Sequence, residues 1–232
     1  MTYKTISIHQ PSYWPWLGQL NKIAMSDTYI YLDSVAAVKD HFTYRNLFYC
    51  EGKAKFITLP VDYHMGIRIC DLKFKSDNWQ SDHLVKIANY YRKAPYFDQV
   101  FDEINEIYRH TYVNVSDLLL RTMEESFKYF GITVKIVKAS DLDVNGSKGL
   151  LVYNICKTVS AGKYIAGMGS FEYMQGVLPM FEKSGIQVIW QKFNHPVYMQ
   201  MAGFPFIKGL SCLDLLFFQG FEKAKGIFNE IR

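Results

Sequence analysis

Cysteine is the first scarcity in this chain. Only four occur among 232 residues, Cys50, Cys70, Cys156 and Cys212, and no two of them share a CxxC spacing. That excludes a zinc ribbon and a disulfide-stapled scaffold. Long apolar runs are missing too, since no stretch approaches the ~18 consecutive apolar residues of a bilayer-spanning helix. The start Met1-Thr2-Tyr3-Lys4 has no apolar segment of the kind a secretory signal needs. The expectation is a protein with no membrane span, cytoplasmic, with reduced thiols. Charge of one sign is also scarce: the net charge is +4 and the basic residues are scattered without a Lys/Arg run. Charge therefore gives no case for a nucleic-acid partner. No GxGxxG follows a strand, and the Walker GxxxxGK(S/T), HExxH and GxSxG signatures are absent. No repeat, low-complexity tract or linker breaks the chain, so one domain over residues 1–232 is expected.

What is present is apolar and aromatic. Residues of the apolar set make up 49% of the chain, with 17 Tyr and 17 Phe, enough for a sizeable core. Their periodicity alternates between strand and helix. Strands are read at 5–8, 28–32, 55–61, 133–138, 163–167 and 187–191, with helices at 17–25, 148–159 and about 171–183 between them. Pro60 confines the 55–61 strand to an edge or a terminus. From about 78 to 130 the pattern is helical throughout, punctuated by Pro95, capped near Asn114 or Ser116 and stopped at Gly131. Strand–helix alternation of this kind predicts an α/β fold with a mostly parallel sheet and helices on both faces. It is Rossmann-like and three-layered, with an all-helical insertion at about 78–130.

Three clusters carry chemistry. The first strand runs into His9-Gln10-Pro11-Ser12-Tyr13-Trp14-Pro15-Trp16, where two prolines stiffen a polar and aromatic turn. In an open α/β sheet the ligand crevice lies just past the carboxyl ends of the strands. His9 is a candidate acid or base, Gln10 a candidate ligand-reading amide, and Tyr13 and Trp16 flat walls. The second cluster is Asp33, then Lys39 to Asn46. Asp33 ends the second strand as a candidate base, while Tyr44, Arg45 and Asn46 can bind substrate, Arg45 through its planar fork. A surface loop in which Arg45 pairs with Asp33 or Asp40 explains the same residues. The third cluster holds His195, Tyr198, Gln200, Lys208, Ser211 and Asp214. Ser211 suits a helix N-cap with Asp214 at the third helical position, and Asp214 is also a candidate catalytic carboxylate. Cys212 as a nucleophile lacks an identifiable partner. The glycine-rich turn Gly167-Met168-Gly169-Ser170 lets backbone approach a ligand. No metal-ligand set is assigned and no cofactor is named; Asp33 with Asp214 makes only a thin case for Mg²⁺.

Taken together, the clusters resemble the WbqC-like family of bacterial proteins. The resemblance rests on Ile8 to Gly18, then Lys22, Asp27 and Asp33, then Phe42 to Asn46 and Ile57 to Val61. It closes on Tyr198-Met199-Gln200 and Leu210 to Leu216. It implies a role in bacterial surface polysaccharide (O-antigen) biosynthesis, as a transferase moving an acyl or aminoacyl group to an amino sugar or nucleotide sugar. A small-molecule substrate is then the expected partner, with a homo-oligomer left open. Two other readings stand beside it: an enzyme like the nucleotidyltransferases or adenylate-forming ligases, and a non-catalytic binding protein of the same pathway.

Overall fold

The computed structural model describes residues 4–232. Five strands form one sheet: β1 (Lys4–His9), β2 (Thr28–Tyr31), β5 (Lys135–Lys138), β6 (Ala161–Ala166) and β7 (Gln187–Trp190). Their order is β5-β2-β1-β6-β7 and every pairing is parallel. One row across the sheet reads Ile136, Tyr29, Ser7, Ile165, Ile189. β1 is central, and the chain builds outward from it first toward β5 and later toward β7. Connections leaving β1 and β6 diverge to opposite sides, which opens a crevice at their carboxyl ends.

Alternation along the strands supplies two cores. Tyr29 and Tyr31 turn into one buried cluster, Ile6, Ile8 and Ile30 into the other. The second cluster is covered by α5 (Lys148–Thr158), α6 (Phe171–Met174) and α7 (Leu178–Lys183). The larger, aromatic cluster lies under α1 (Leu17–Ala24), α4 (Val115–Phe130) and α8 (Cys212–Glu230). Helices therefore cover both faces, as the alternation predicts.

The helical stretch at 78–130 resolves into α2 (Trp79–Tyr91), α3 (Phe97–Tyr108) and α4. Asn114 caps α4, its Oδ1 accepting from Asp117 N at 2.9 Å, and Gly131 closes it at φ 63°, a left-handed value that suits glycine. α4 also serves as the crossover cover for the sheet, since the Tyr31 hydroxyl donates to Ser116 O at 2.9 Å.

Two local readings are revised, and one helix carries a break the sequence does not announce. Residues 55–61 are not a strand of the main sheet: β4 (Lys53–Thr58) pairs antiparallel with β3 (Arg45–Cys50) in a separate hairpin. Its two-residue turn, Glu51-Gly52, has φ of 48° and 75°, the twist that tight hairpins favour. The helix expected over 171–183 is interrupted between α6 and α7, where Pro179 opens the second piece. In α8 the helix breaks at Gly220 (φ 71°), where a Cβ would stand 2.8 Å from the Tyr96 ring.

Candidate functional site

At the carboxyl ends of β1 and β6 a cavity of about 360 Å³ is lined by His9, Gln10, Lys22, His41, Gly167 and Gly169 among others. A second, of about 410 Å³, adjoins it and shares His9, Lys22, Gly167 and Gly169, with Trp16, Gln191 and Phe193 as further walls. A third and larger one, about 780 Å³, lies past the ends of β2 and β5 and shares Gln10 and Tyr173 with the first. The crevice sits where the sheet topology places it.

Lys22 is the dominant electrostatic feature. It rises from α1 beneath β1, is only 4% exposed, and donates from Nζ to Ile8 O at 2.9 Å. No carboxylate pairs with it among the described residues. Burial alone pulls its pKa down to about 7. Burial, then the Lys22 charge, hold His9 down at about 3, so its imidazole is neutral. His9 Nδ1 donates to Gln10 O at 2.8 Å, which fixes the tautomer and leaves Nε2 an acceptor. Gln19 is buried, gives its amide N–H to Gln10 O at 3.1 Å, and leaves Oε1 unpartnered. Ser170 turns back on Gly167, its hydroxyl donating to Gly167 O at 2.7 Å, and a Cβ at Gly169 would meet open space. The turn thus presents bare backbone to the crevice. One positive centre, two acceptors and a rigid glycine turn suit an anionic ligand that also carries hydroxyl or amino donors.

Of the residues singled out in the sequence, His9, Gln10 and Trp16 line this crevice. Trp16 is 38% exposed, meets Phe193 edge-on at 5.3 Å, and lies on Gly18, where a Cβ would fall 2.2 Å from its ring. Any side chain at 18 would displace it. Most of the other polar and aromatic side chains singled out build the scaffold behind the crevice. Tyr13 and Trp14 are wholly buried. Tyr13 donates to His83 Nδ1 at 2.8 Å, and the His83 Nε2–H reaches Thr58 O at 3.0 Å. Trp14 takes φ 47°, a costly value for a bulky residue, secured by Nε1 to the Tyr108 hydroxyl at 3.1 Å. Asn46 holds that turn by donating to Tyr13 O at 3.1 Å and Trp14 O at 2.7 Å. Tyr44 is buried and accepts from Asp40 N at 2.6 Å.

Asp33 is likewise committed elsewhere. It accepts from Ser140 N at 2.9 Å and from the Ser140 hydroxyl at 2.8 Å, tying the end of β2 to the end of β5. Arg45 pairs with Asp40 at 3.4 Å and lies 4.1 Å over the Phe56 ring, although it begins strand β3 and is not in a surface loop. Asp214 is fully buried and accepts from Tyr198 at 2.7 Å, Gln200 at 2.6 Å and Tyr91 at 3.2 Å. Burial raises it to about 6, and those three donors limit the rise. Gln200 also exchanges bonds with Ile207, closing a loop, and His195 ties Pro196 O at 2.8 Å to Gly209 N at 3.1 Å. Ser211 caps α8 through Leu213 N at 3.3 Å, and Lys208 is exposed. Cys212 is buried and its thiol is pushed up to about 12, the reverse of an activated nucleophile. Asp33 and Asp214 share no partner, and among the described residues no three His, Cys, Asp or Glu gather around a common point.

Sequence motifs alone do not single out Lys22 as a chemical group, nor Gln19 and Gln191 with it; His41 falls within the second cluster but has no role there. Lys22 carries one signal, an ionisable residue at a position of α1 whose neighbours Gln19, Ile23 and Ala24 are buried. A docking surface would need Trp14 and Trp16 on one flat exposed face; Trp14 is buried beneath the turn and Trp16 alone is open.

The sequence description of the WbqC-like protein family matches residues 10–226. An uncharacterized protein of Mycobacterium tuberculosis, Rv1507c, is 27% identical over 225 residues, covering 94% of this chain and 95% of its own. No solved structure matches the chain. The chain belongs to the WbqC-like protein family.

Proposed function

We propose that this WbqC-like protein is an enzyme whose crevice at the ends of β1 and β6 binds a phosphorylated amino sugar or nucleotide sugar. There it transfers an acyl or aminoacyl group to the sugar amine, in the making of surface polysaccharide. One observation carries the reading: Lys22 is a buried cation with no acidic partner among the described residues, opening into a cavity at the topological switch point. An unpaired buried charge costs stability, and a bound anion recovers that cost. Lys22 would hold the phosphate, with the Gly167–Gly169 backbone beside it.

In the transfer, the sugar amine attacks the donor carbonyl. The C–N bond forms as the bond to the donor's leaving group breaks. The amine proton passes to His9 Nε2, the acceptor nitrogen left free by the Gln10 bond, and from there to the leaving group. Burial, the larger cause, and the Lys22 charge both oppose an imidazolium at His9, and burial persists with ligand bound. An anion on Lys22 removes the second of these. Asp33 and Asp214, with their oxygens taken up by neighbours, support the frame in this scheme.

A thermal-shift screen against nucleotides, nucleotide sugars and acyl and aminoacyl donors tests this. A ligand at a hundredfold excess over its Kd adds ~2.7 kcal/mol to the folded state. The expected result is a shift from phosphorylated sugars that Lys22→Met abolishes. A shift that survives Lys22→Met, or none from any phosphorylated compound, sinks the reading.

A further inference from the structure

The three cavities at the carboxyl edge of the sheet adjoin in series, as the lobes of a groove would. The largest, about 780 Å³, shares Gln10 and Tyr173 with the central one, and the central one shares Lys22 and Gly169 with the aromatic one. Chemistry changes along its length. One end has the partly exposed ring of Trp16 beside Phe193. The middle has the unpaired Lys22 ammonium and the bare Gly167–Gly169 turn. The other end is roomy and of mixed lining: Ser34, Asp143, Asn145 and Ser147, with the cations Arg68 and Lys148, stand beside Leu142 and Val144. Pockets of about 300–1,000 Å³ hold a drug-sized group, so each outer lobe has space for a ring of its own. A ligand with a single ring and a phosphate would leave one lobe unused.

We infer that the groove takes a two-part ligand joined through a phosphate or diphosphate: the linker on Lys22, a flat ring on Trp16, and a hydroxyl-rich unit in the lobe past β2 and β5. The nucleoside diphosphate sugars are the substrate class with that sequence of groups. This rests on the anion-binding reading above and adds to it which end of the ligand lies where. Trp16 gives its face to a base, and stacking of this kind tolerates any base because every base has a π-face. The lobe past β2 and β5 has no aromatic in its lining other than Tyr173, and its Ser34, Asp143 and Asn145 side chains offer hydrogen-bond partners to sugar hydroxyls.

Calorimetric titration of the whole chain with three probes decides the matter: pyrophosphate, UDP and UDP-N-acetylglucosamine. Affinity is expected to rise along that series. Lys22→Met should abolish all three. Trp16→Ala should weaken UDP and UDP-N-acetylglucosamine by about tenfold, the scale of one base–aromatic contact, and leave pyrophosphate alone. Ala36→Trp, an exposed position lining the larger outer lobe, should weaken the nucleotide sugar only. If pyrophosphate binds through Lys22 but the nucleotide sugar binds no tighter, the two-part inference fails and the anion reading stands. It fails likewise, with the anion reading intact, if either outer variant weakens all three probes alike. If wild-type protein takes up none of the probes, both readings fail together. The Trp16 and Ala36 variants alter exposed groups, so the test survives even where Lys22→Met misfolds.

Discussion

Lys22 and Asp214 are both buried ionisable side chains on helices of the aromatic core, and burial pushes each toward its neutral form, to about 7 and about 6. Their surroundings differ in kind. Asp214 is enclosed by three donors, Tyr91, Tyr198 and Gln200, that converge on its carboxylate. Lys22 has one carbonyl for a partner and opens onto a cavity. A buried charge that is fully hydrogen-bonded and sealed fixes a fold; one left partly unsatisfied beside empty space holds capacity for a ligand. The contrast separates scaffold from site more sharply than the sequence motifs do, because both residues belong to motif segments.

The contrast makes opposite demands on stability. Asp214→Ala strips three donors of their acceptor. With orphaned buried groups at roughly 1–3 kcal/mol each, partly relieved by relaxation, the loss should be about 3–5 kcal/mol. Thermal denaturation should register a drop on the order of 10 °C, at about 2–4 °C per kcal/mol for a chain of this size. A drop of only a degree or two would break the view of Asp214 as scaffold.

Lys22→Met should act the other way. With its folded pKa lowered to about 7, Lys22 costs stability below that pH, because the unfolded chain keeps it charged up to its ordinary value. At pH 7 the variant should therefore be more stable than the parent, by at most about 4 kcal/mol at 1.36 kcal/mol per pKa unit. That advantage should shrink as pH rises from about 7 toward 10.5. Urea titrations at pH 7 and pH 9.5 measure it, and a variant less stable at both would show Lys22 to be structural. Gain of stability with loss of binding is the trade expected at functional sites.

Asp214 has its own pH signature. Its pKa in the folded chain is raised to about 6, so the folded state takes up a proton that the unfolded state lacks between about 4 and 6. Its contribution is present at pH 4 and is lost as pH climbs through 6. Relative to Asp214→Asn, the parent should lose up to about 3 kcal/mol over that window, by the same conversion; parallel curves would refute the shift. The smallest effect belongs to Trp16→Ala. Its ring is partly exposed and uncapped by the core, so thermal stability should change by less than about 1 kcal/mol. A drop comparable to Asp214→Ala would make Trp16 scaffold too.

Much of the fold is legible in the sequence because its signals are local. The short strand ending at His9, the α4 cap at Asn114, its stop at Gly131 and the Ser211 cap of α8 all follow from residues within a turn of each other. The β3–β4 hairpin is hidden although Glu51-Gly52 marks it, since Arg45 and Asn46 read as loop chemistry when they begin a strand. The site is half legible. His9, Gln10 and Trp16 stand out by their place after a strand, whereas Lys22 looks like an ordinary helix lysine. Nothing local tells whether a lysine on a short helix faces water or a sheet.

By itself the sequence determined the alternation of strands and helices, the family, and the stiff aromatic turn that ends β1. These depend on period, capping and proline, which act over a few residues. Only the tertiary structure decided which polar residues face the crevice and which are spent on holding it. That choice turns on contacts between residues far apart in the chain: Asn46 on Trp14, Ser140 on Asp33, Tyr91 on Asp214. The physical reason is that burial and partners, not residue type, set the free energy of a charge. Both exist only once the chain has closed on itself.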